Sequence, residues 1–201
     1  PFLGLLLRWA RLSAWDVPAV TVRLLADWAF ALAILALVRF WERLPLSSIG
    51  MRQVTRRDLL WGVVGFMAGA VTFVITGPIV QALGLETTTP GIAQLASLPA
   101  WFRALIVVTA GVTEEILFRG YSIERLAAWT GHLGLGALVA YVVFVGLHIP
   151  FWGLGGTLQI GVWAIIVTTL YVWRRNLWSC VLMHILNDAY AFLLLPMFLP
   201  Q

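Results

Sequence analysis

Two glutamates stand side by side in an otherwise apolar stretch, and their neighbours indicate which chemistry they could perform. Glu114 and Glu115 follow the apolar run 104–112, and Arg119 comes four residues after the second glutamate. A carboxylate inside a membrane helix is costly, so such residues are usually functional. Because neighbouring residues of a helix point about 100° apart, we expect the two glutamates to have different partners.

The spacing of Glu115 and Arg119 predicts an ion pair. Residues four apart lie on the same face of a helix, where opposite charges can contact each other. Glu114 points elsewhere and needs partners of its own. The later sequence supplies three candidates, His148, His184 and Asp188.

A predicted helical hairpin places Glu114 beside His148. Gly131 and His132 have the composition of a turn between two helices. Glu114 lies 17 residues before Gly131, and His148 lies 17 residues after it. If residues 98–129 form one helix, both side chains lie at about the same height, roughly 25 Å from the turn.

Two hydrolytic mechanisms fit these residue types. In the first, Glu114 is a general base that activates water with the help of His148, while His184 and Asp188, which share a helix face, stabilise an oxyanion. In the second, the same four residues supply the ligands of a divalent metal such as zinc, which acidifies a bound water molecule. Both mechanisms lead to hydrolysis of an amide bond, with or without a metal cofactor.

The composition predicts an integral membrane protein. The chain has 201 residues, of which 61% are hydrophobic and 11% charged, and its mean hydropathy is +0.93. Soluble domains carry roughly 25% charged residues. The apolar runs are too long and too uniform for barrel strands, which alternate. The net charge of +4 comes from arginines that flank apolar runs, so we expect no nucleic-acid partner.

The predicted fold is an all-α, polytopic membrane bundle of about six transmembrane helices, with a short interfacial or partial helix at residues 1–12. We divide the chain into residues 1–90, which carry no motif, and a catalytic core at residues 91–201. The six predicted spans are residues 19–41, 58–83, 98–120, 133–150, 157–173 and 177–198.

The loops alternate in charge along the chain. Arginines are found in the first, third and fifth loops between the predicted spans, and the other two loops have none. The positive-inside rule therefore places the arginine-rich loops in the cytoplasm. We expect an integral protein of a bacterial inner membrane, with its site toward the cytoplasmic side.

The candidate residues form three spaced motifs, which are Glu114-Glu115-x-x-x-Arg119, Phe144-x-x-x-His148 and His184-x-x-x-Asp188. Together they resemble the motifs of the CPBP family, which comprises the CAAX proteases and the bacteriocin-processing, Abi-type proteins. The resemblance covers about residues 95–195. It implies a helical membrane endopeptidase whose substrates are membrane-associated or lipidated peptides.

The resemblance also implies a role for each motif residue. Glu114 would be the base and His148 its support, and His184 with residue 188 would stabilise the oxyanion. Glu115 and Arg119 would orient the first motif, and Phe144 would pack beside the site. Many members of the family have Asn where this chain has Asp188, and an ionised carboxylate cannot donate a hydrogen bond. Asp188 must then be protonated, orient His184, or bind a metal.

Other functions use the same residue types. Intramembrane carboxylates and histidines also serve proton relays and transporters. A third possibility is a non-catalytic immunity or scaffold protein with the same fold. Arg23 and Asp27 are four apart near the start of the first span, and we interpret them as a mutually neutralising pair. Glycines 62, 65 and 69 predict close helix packing on the second span.

Overall fold

The computed structural model describes residues 17–198, and every regular element in that range is a helix. The all-α prediction is confirmed there, whereas the predicted helix at residues 1–12 lies outside the described residues. The α-helices are α1 (Val17–Ala36), α2 (Arg56–Ala82), α3 (Thr89–Ala96), α4 (Ala100–Glu114), α5 (Ile123–Thr130), α6 (Leu133–Arg174) and α7 (Leu177–Ala189). The π-helical segments are Leu37–Trp41, Glu115–Ser122 and Tyr190–Leu194, and 3-10 turns occupy Leu46–Ile49 and Leu195–Met197.

Four described helical stretches are long and apolar enough to cross a membrane, so the count of six spans is not confirmed. The predicted third span is not among them, because the helical run that begins at Ala100 carries four charged residues within its first 20, namely Arg103, Glu114, Glu115 and Arg119. The four stretches are Val17–Trp41, Arg56–Ala82, Leu133–Arg174 and Leu177–Met197.

The long helix α6 bends back on itself at Gly153. That residue has φ 63° and ψ −176°, a conformation that only glycine adopts readily, and it follows Pro150. The hydroxyl group of Tyr141 donates to the carbonyl oxygen of Gly161 at 3.2 Å, although a straight helix would separate the two residues by about 30 Å. The two limbs, residues 133–152 and 154–174, therefore occupy the predicted fourth and fifth spans. The uncharged loop expected between those spans is reduced to this joint.

Helix α2 packs closely against α6 and α7 through its glycines, as the sequence predicted. A Cβ atom added to Gly65 would lie 2.8 Å from Sδ of Met183, and one added to Gly69 would lie 2.7 Å from Cδ1 of Trp163. Close approach through small residues is the usual way in which membrane helices associate. Met183 and Trp163 both flank the predicted site, so α2 packs against side chains that surround the site.

The arginine-rich end of the bundle is held by hydrogen-bonded carboxylates. Asp58 forms a capping box with Thr55 at the start of α2. Its Oδ1 accepts from Nη2 of Arg174 at 2.9 Å, and its Oδ2 accepts from Nδ2 of Asn176 at 2.9 Å. Asp58 thereby ties α2 to the junction between α6 and α7.

A second carboxylate joins the first span to the hairpin. Glu42 accepts from Nη2 of Arg125 at 2.6 Å and from the hydroxyl group of Tyr121 at 3.2 Å. The hydrogen bonds from Arg125 hold the pKa of Glu42 below its usual range. Nearby, Glu124 accepts from both Arg175 and Tyr171.

The predicted hairpin turn is present. Residues 100–130 form one helical run, in which the π-helical segment Glu115–Ser122 lies between α4 and α5. The run ends at Gly131, whose left-handed φ of 74° closes the helix before His132 starts the next one. The first motif and the second motif therefore lie on neighbouring antiparallel helices.

Candidate active site

One cavity of about 460 Å³ receives all four predicted catalytic side chains. Glu114 reaches it from the end of α4, His148 from the first limb of α6, and His184 and Asp188 from α7. The walls are otherwise mostly apolar side chains. A cavity of this size with a few convergent polar groups is typical of a ligand site.

Glu115 joins the first and the last motif. Its Oε1 accepts from Nη1 of Arg119 at 2.9 Å, which is the ion pair that the spacing predicted. The same oxygen lies 2.8 Å from Nδ1 of His184. Glu115 and Arg119 are 0% and 1% exposed, so the pair is shielded from solvent. The bond to His184 was not predicted, because the register between distant helices is not visible in a local pattern.

Phe144 contacts both Arg119 of the first motif and His148 of the second motif. The guanidinium group of Arg119 lies 4.0 Å from the centroid of the Phe144 ring, a cation–π contact. The ring centroids of Phe144 and His148 are 4.5 Å apart. The Phe144 ring is buried, and it packs between the guanidinium group of Arg119 and the imidazole ring of His148.

His148 presents one nitrogen as a proton acceptor. Its Nδ1 lies 2.8 Å from the carbonyl oxygen of Phe144. A carbonyl oxygen only accepts hydrogen bonds, so Nδ1 carries the proton and Nε2 keeps its lone pair in the neutral ring. His148 can therefore accept a hydrogen bond or a proton from water in the cavity.

His184 is held by a carboxylate near each ring nitrogen. Glu115 accepts from Nδ1, and Oδ2 of Asp188 lies 3.5 Å from Nε2. The second contact is longer than a normal hydrogen bond, so the Nε2 position remains open to a substrate oxygen. Nδ2 of Asn187 donates to Oδ1 of Asp188 at 3.3 Å and so restrains that carboxylate.

Glu114 differs from Glu115 in its surroundings. It lines the cavity and is partly exposed there, whereas Glu115 is fully buried and is bonded to Arg119 and His184. Oε2 of each glutamate is buried without a hydrogen-bond partner among the described residues. A carboxylate oxygen without a protein partner must be satisfied by water or by a ligand. Glu114 is the carboxylate that is placed to handle water.

The arrangement does not fit the metal hypothesis. Among residues 17–198, no group of three or more histidine, cysteine, aspartate or glutamate side chains could hold a metal ion. Nδ1 of His184 is bonded to Glu115 and Nδ1 of His148 to a backbone carbonyl oxygen, so each ring could offer a metal only its Nε2 atom. The side chains share one cavity without converging on one point.

A close helix contact brings the two motifs together. A Cβ atom added to Gly111 would lie 2.5 Å from Cγ1 of Ile185 and 3.2 Å from its backbone nitrogen. Glycine is needed here so that α4 can approach α7 beside His184. The π-helical segment then begins at Glu115 and rotates its side chain relative to a regular helix. Such π-helical segments are frequent at functional sites.

The first helix also contributes to the cavity, which the sequence analysis did not predict. Arg23 and Asp27 of α1 line it, and α1 is fixed to α4 by a bond of 2.9 Å from Nε1 of Trp28 to Oγ1 of Thr109. The signal was an ionisable pair inside a predicted span, which usually marks function. Mutual neutralisation alone does not account for the position of both side chains in the cavity wall.

A family model matches the part of the chain that holds the three motifs. Residues 96–190 match the sequence model of a family described as Rce1-like, the type II CAAX prenyl endopeptidases. This segment belongs to the CAAX protease family. No curated protein and no solved structure matches the chain.

All the motif residues lie within the CAAX protease segment. Arg23 and Asp27 lie outside it, in the part of the chain for which the sequence offers no motif. The cavity thus combines a wall from the family segment with a wall that belongs to the first helix.

Proposed function

We propose that this protein is an intramembrane endopeptidase that hydrolyses peptide bonds of membrane-associated or lipidated peptides. The observation that carries the proposal is the single cavity shared by Glu114, His148, His184 and Asp188 within the CAAX protease segment. In this proposal residues 91–201 perform the chemistry, while side chains from the described part of residues 1–90 complete the cavity wall.

Glu114 and His148 activate the water molecule. Glu114 accepts one proton from the water, and the unprotonated Nε2 of His148 accepts a hydrogen bond from the other. The resulting hydroxide forms a bond to the carbonyl carbon of the scissile amide, and the carbonyl electron pair moves to its oxygen. Glu114 then returns the proton to the leaving nitrogen as the C–N bond breaks.

His184 stabilises the oxyanion. Between the carboxylates of Glu115 and Asp188 its ring carries a proton on both nitrogens, and the long contact of 3.5 Å between Nε2 and Asp188 leaves the Nε2–H available to the oxyanion. Asp188 then acts as a positioning residue that aligns the imidazole. Glu115 and Arg119 position the same ring from its other nitrogen. No step in this mechanism passes through a metal.

The substrate reaches the site from the lipid or from the arginine-rich end. Its four long apolar helices are those of an integral membrane protein. We propose that the membrane is a bacterial inner membrane and that the arginine-rich end of the bundle faces the cytoplasm. A lipid anchor would hold a peptide substrate at the depth of the cavity. The proposal therefore names membrane-bound peptides or proteins as the partners.

Cleavage of a defined peptide library tests the proposal. Purified protein in proteoliposomes is incubated with acylated peptides, and products are identified by mass spectrometry, with and without a chelator. We expect cleavage by the wild type and by the exposed-residue control Glu86→Gln, in both conditions, and none by Glu114→Gln/His148→Gln. Equal cleavage by the double variant would overturn the proposal. Loss of cleavage with the chelator, restored by zinc, would overturn the metal-free mechanism.

A further inference from the structure

Asn187 places a side-chain amide in the wall of the cavity. It lies on α7, three residues after His184 and next to Asp188, and it is partly buried. No other asparagine or glutamine side chain is found among the described residues that line the cavity. An unpaired amide costs free energy in apolar surroundings, so its hydrogen-bond partners indicate its role.

The amide of Asn187 has hydrogen-bonding capacity that the described residues do not use. Its Nδ2 donates to Oδ1 of Asp188 at 3.3 Å, and no other hydrogen bond of this side chain is found among residues 17–198. A primary amide has two N–H donors and an oxygen that accepts. Oδ1 of Asn187 is not sealed inside the protein, so this oxygen and one N–H remain for water or a ligand in the cavity.

A peptide that enters the cavity brings polar backbone groups into mostly apolar surroundings. Each backbone N–H or C=O that leaves water without a new partner costs free energy. In an extended peptide, one residue presents its N–H and its C=O on the same side. A side-chain amide offers the complementary acceptor and donor, so Asn187 can replace the water that the backbone loses.

We infer that Asn187 is a substrate-binding residue that forms hydrogen bonds with the peptide backbone close to the scissile bond. Its Oδ1 accepts from a backbone N–H, and its remaining N–H donates to the C=O of the same residue. Asn187 is about 4.5 Å from His184 along the helix axis, and one residue of an extended chain spans about 3.3 Å, so the bound residue lies within about two positions of the scissile bond. The inference rests on the proposed peptidase function for the identity of the ligand as a peptide.

Peptides with single backbone esters test this contact. The parent is one N-acylated octapeptide of mixed apolar sequence with an amidated C-terminus. Each member of the series replaces one backbone N–H by an ester oxygen, which removes one donor and leaves the side chains unchanged. Equilibrium binding is measured in detergent with Glu114→Gln, so that the peptides are not consumed. We expect an ester at one position of the series to weaken binding about five- to tenfold relative to the parent.

Two variants in the Glu114→Gln background show whether that loss belongs to Asn187. With Asn187→Ala we expect the parent to bind about five- to tenfold more weakly, and the ester to bind as well as the parent, because the acceptor for the missing N–H is gone. Asn187→Leu keeps the approximate size of the side chain without a hydrogen-bonding group and is expected to give the same ratio near one. If Asn187→Ala does not fold, the ratio of Asn187→Leu decides.

Thr113→Val in the same background is the matched control. Thr113 also lines the cavity, but its hydroxyl group already donates to the carbonyl oxygen of Thr109 at 2.8 Å. Valine keeps the shape of the side chain without the hydroxyl group. We expect this variant to keep the ester effect of the Glu114→Gln protein, and loss of the effect here as well would overturn the inference.

A merely structural role of Asn187 gives a different pattern. If Asn187 only restrained Asp188, its replacement would weaken the binding of all peptides alike and leave the ratio between parent and ester unchanged. That result overturns the inference. A Glu114→Gln protein that binds every ester as well as the parent, or binds none of the peptides, overturns it too.

The outcome is distinguishable from that of the proposed function. An ester effect that depends on Asn187, without any cleavage of the parent peptide by the wild type, would leave the subsite standing and contradict the peptidase. Cleavage of the parent peptide without an ester effect that depends on Asn187 would do the reverse.

Discussion

Oε1 of Glu115 lies 2.8 Å from Nδ1 of His184 and 2.9 Å from Nη1 of Arg119. One buried oxygen thus connects the first motif, on the π-helical segment, with the last motif on α7. The histidine that faces the cavity takes its orientation from the neighbour of the catalytic candidate Glu114. In the proposed mechanism Glu114 performs the chemistry, and Glu115 positions His184.

Replacing Glu115 by glutamine is expected to destabilise the protein by about 3–5 kcal/mol, because Arg119 would remain buried without a charged partner. The activity should fall as well, since the orientation of His184 would be lost. Chemical unfolding in detergent and the cleavage rate measure the two effects.

The control for this prediction is a double-mutant cycle. Arg119→Gln alone leaves Glu115 without its guanidinium partner, whereas the double variant Glu115→Gln/Arg119→Gln leaves no charge at this pair. We expect the double variant to lose clearly less stability than the sum of the two single losses. Additive losses would contradict an energetic coupling between the two side chains.

Gly111→Ala is expected to lower the cleavage rate by about ten- to a hundredfold, because the added methyl group must displace Ile185 and with it His184. Its unfolding free energy should fall by about 1–3 kcal/mol, as for other overpacked positions. The matched control is Gly146→Ala, where no heavy atom lies within 4 Å of the added Cβ. Equal rates for the two variants would show that the contact at Gly111 does not set the site geometry.

Asp188→Asn is expected to keep most of the activity. Its carbonyl oxygen can still face Nε2 of His184, and its amide group adds a donor for the oxyanion. Asp188→Ala removes both functions and should lower the rate by about a hundredfold. Steady-state cleavage rates of the two variants test this, and an Asn variant as slow as the Ala variant would require the negative charge itself.

The contact of Glu42 with Arg125 is expected to make stability depend on pH at the arginine-rich end. The pKa of Glu42 is lowered in the folded protein, chiefly by its hydrogen bonds from Arg125. Its contribution is therefore present above the pKa of a glutamate in the unfolded chain, about 4.3, and is lost as the pH falls through the lower pKa of the folded protein. The melting temperature of the wild type should exceed that of Glu42→Gln at pH 7, and the difference should shrink toward pH 3. A constant difference across this range would contradict the assignment.

Local periodicity was sufficient to predict the parts of the site that lie within one helix or one hairpin. The pair of Glu115 and Arg119 follows from their spacing, and the turn at Gly131 places the second motif beside the first. The glycines of α2 likewise indicated where helices approach closely. Each of these features depends on residues a few positions apart or on a single turn.

Contacts between distant helices could not be predicted in the same way. The bond from His184 to Glu115 depends on the rotation of α7 and on the π-helical segment, neither of which has a sequence period. The reversal at Gly153 compresses an expected loop into one residue because glycine accepts a left-handed φ there. The place of Arg23 in the cavity wall depends on how α1 packs, which its own sequence does not specify.

In the proposed mechanism Glu114 activates the water that cleaves the peptide. The most direct test of this role is the single-turnover cleavage rate of Glu114→Gln relative to the wild type, on one acylated peptide in proteoliposomes. Glutamine keeps the size of the side chain but cannot accept the proton, so we predict a loss of at least about a hundredfold with an unchanged unfolding transition. A rate within a few-fold of the wild type would contradict the assignment of Glu114 as the base.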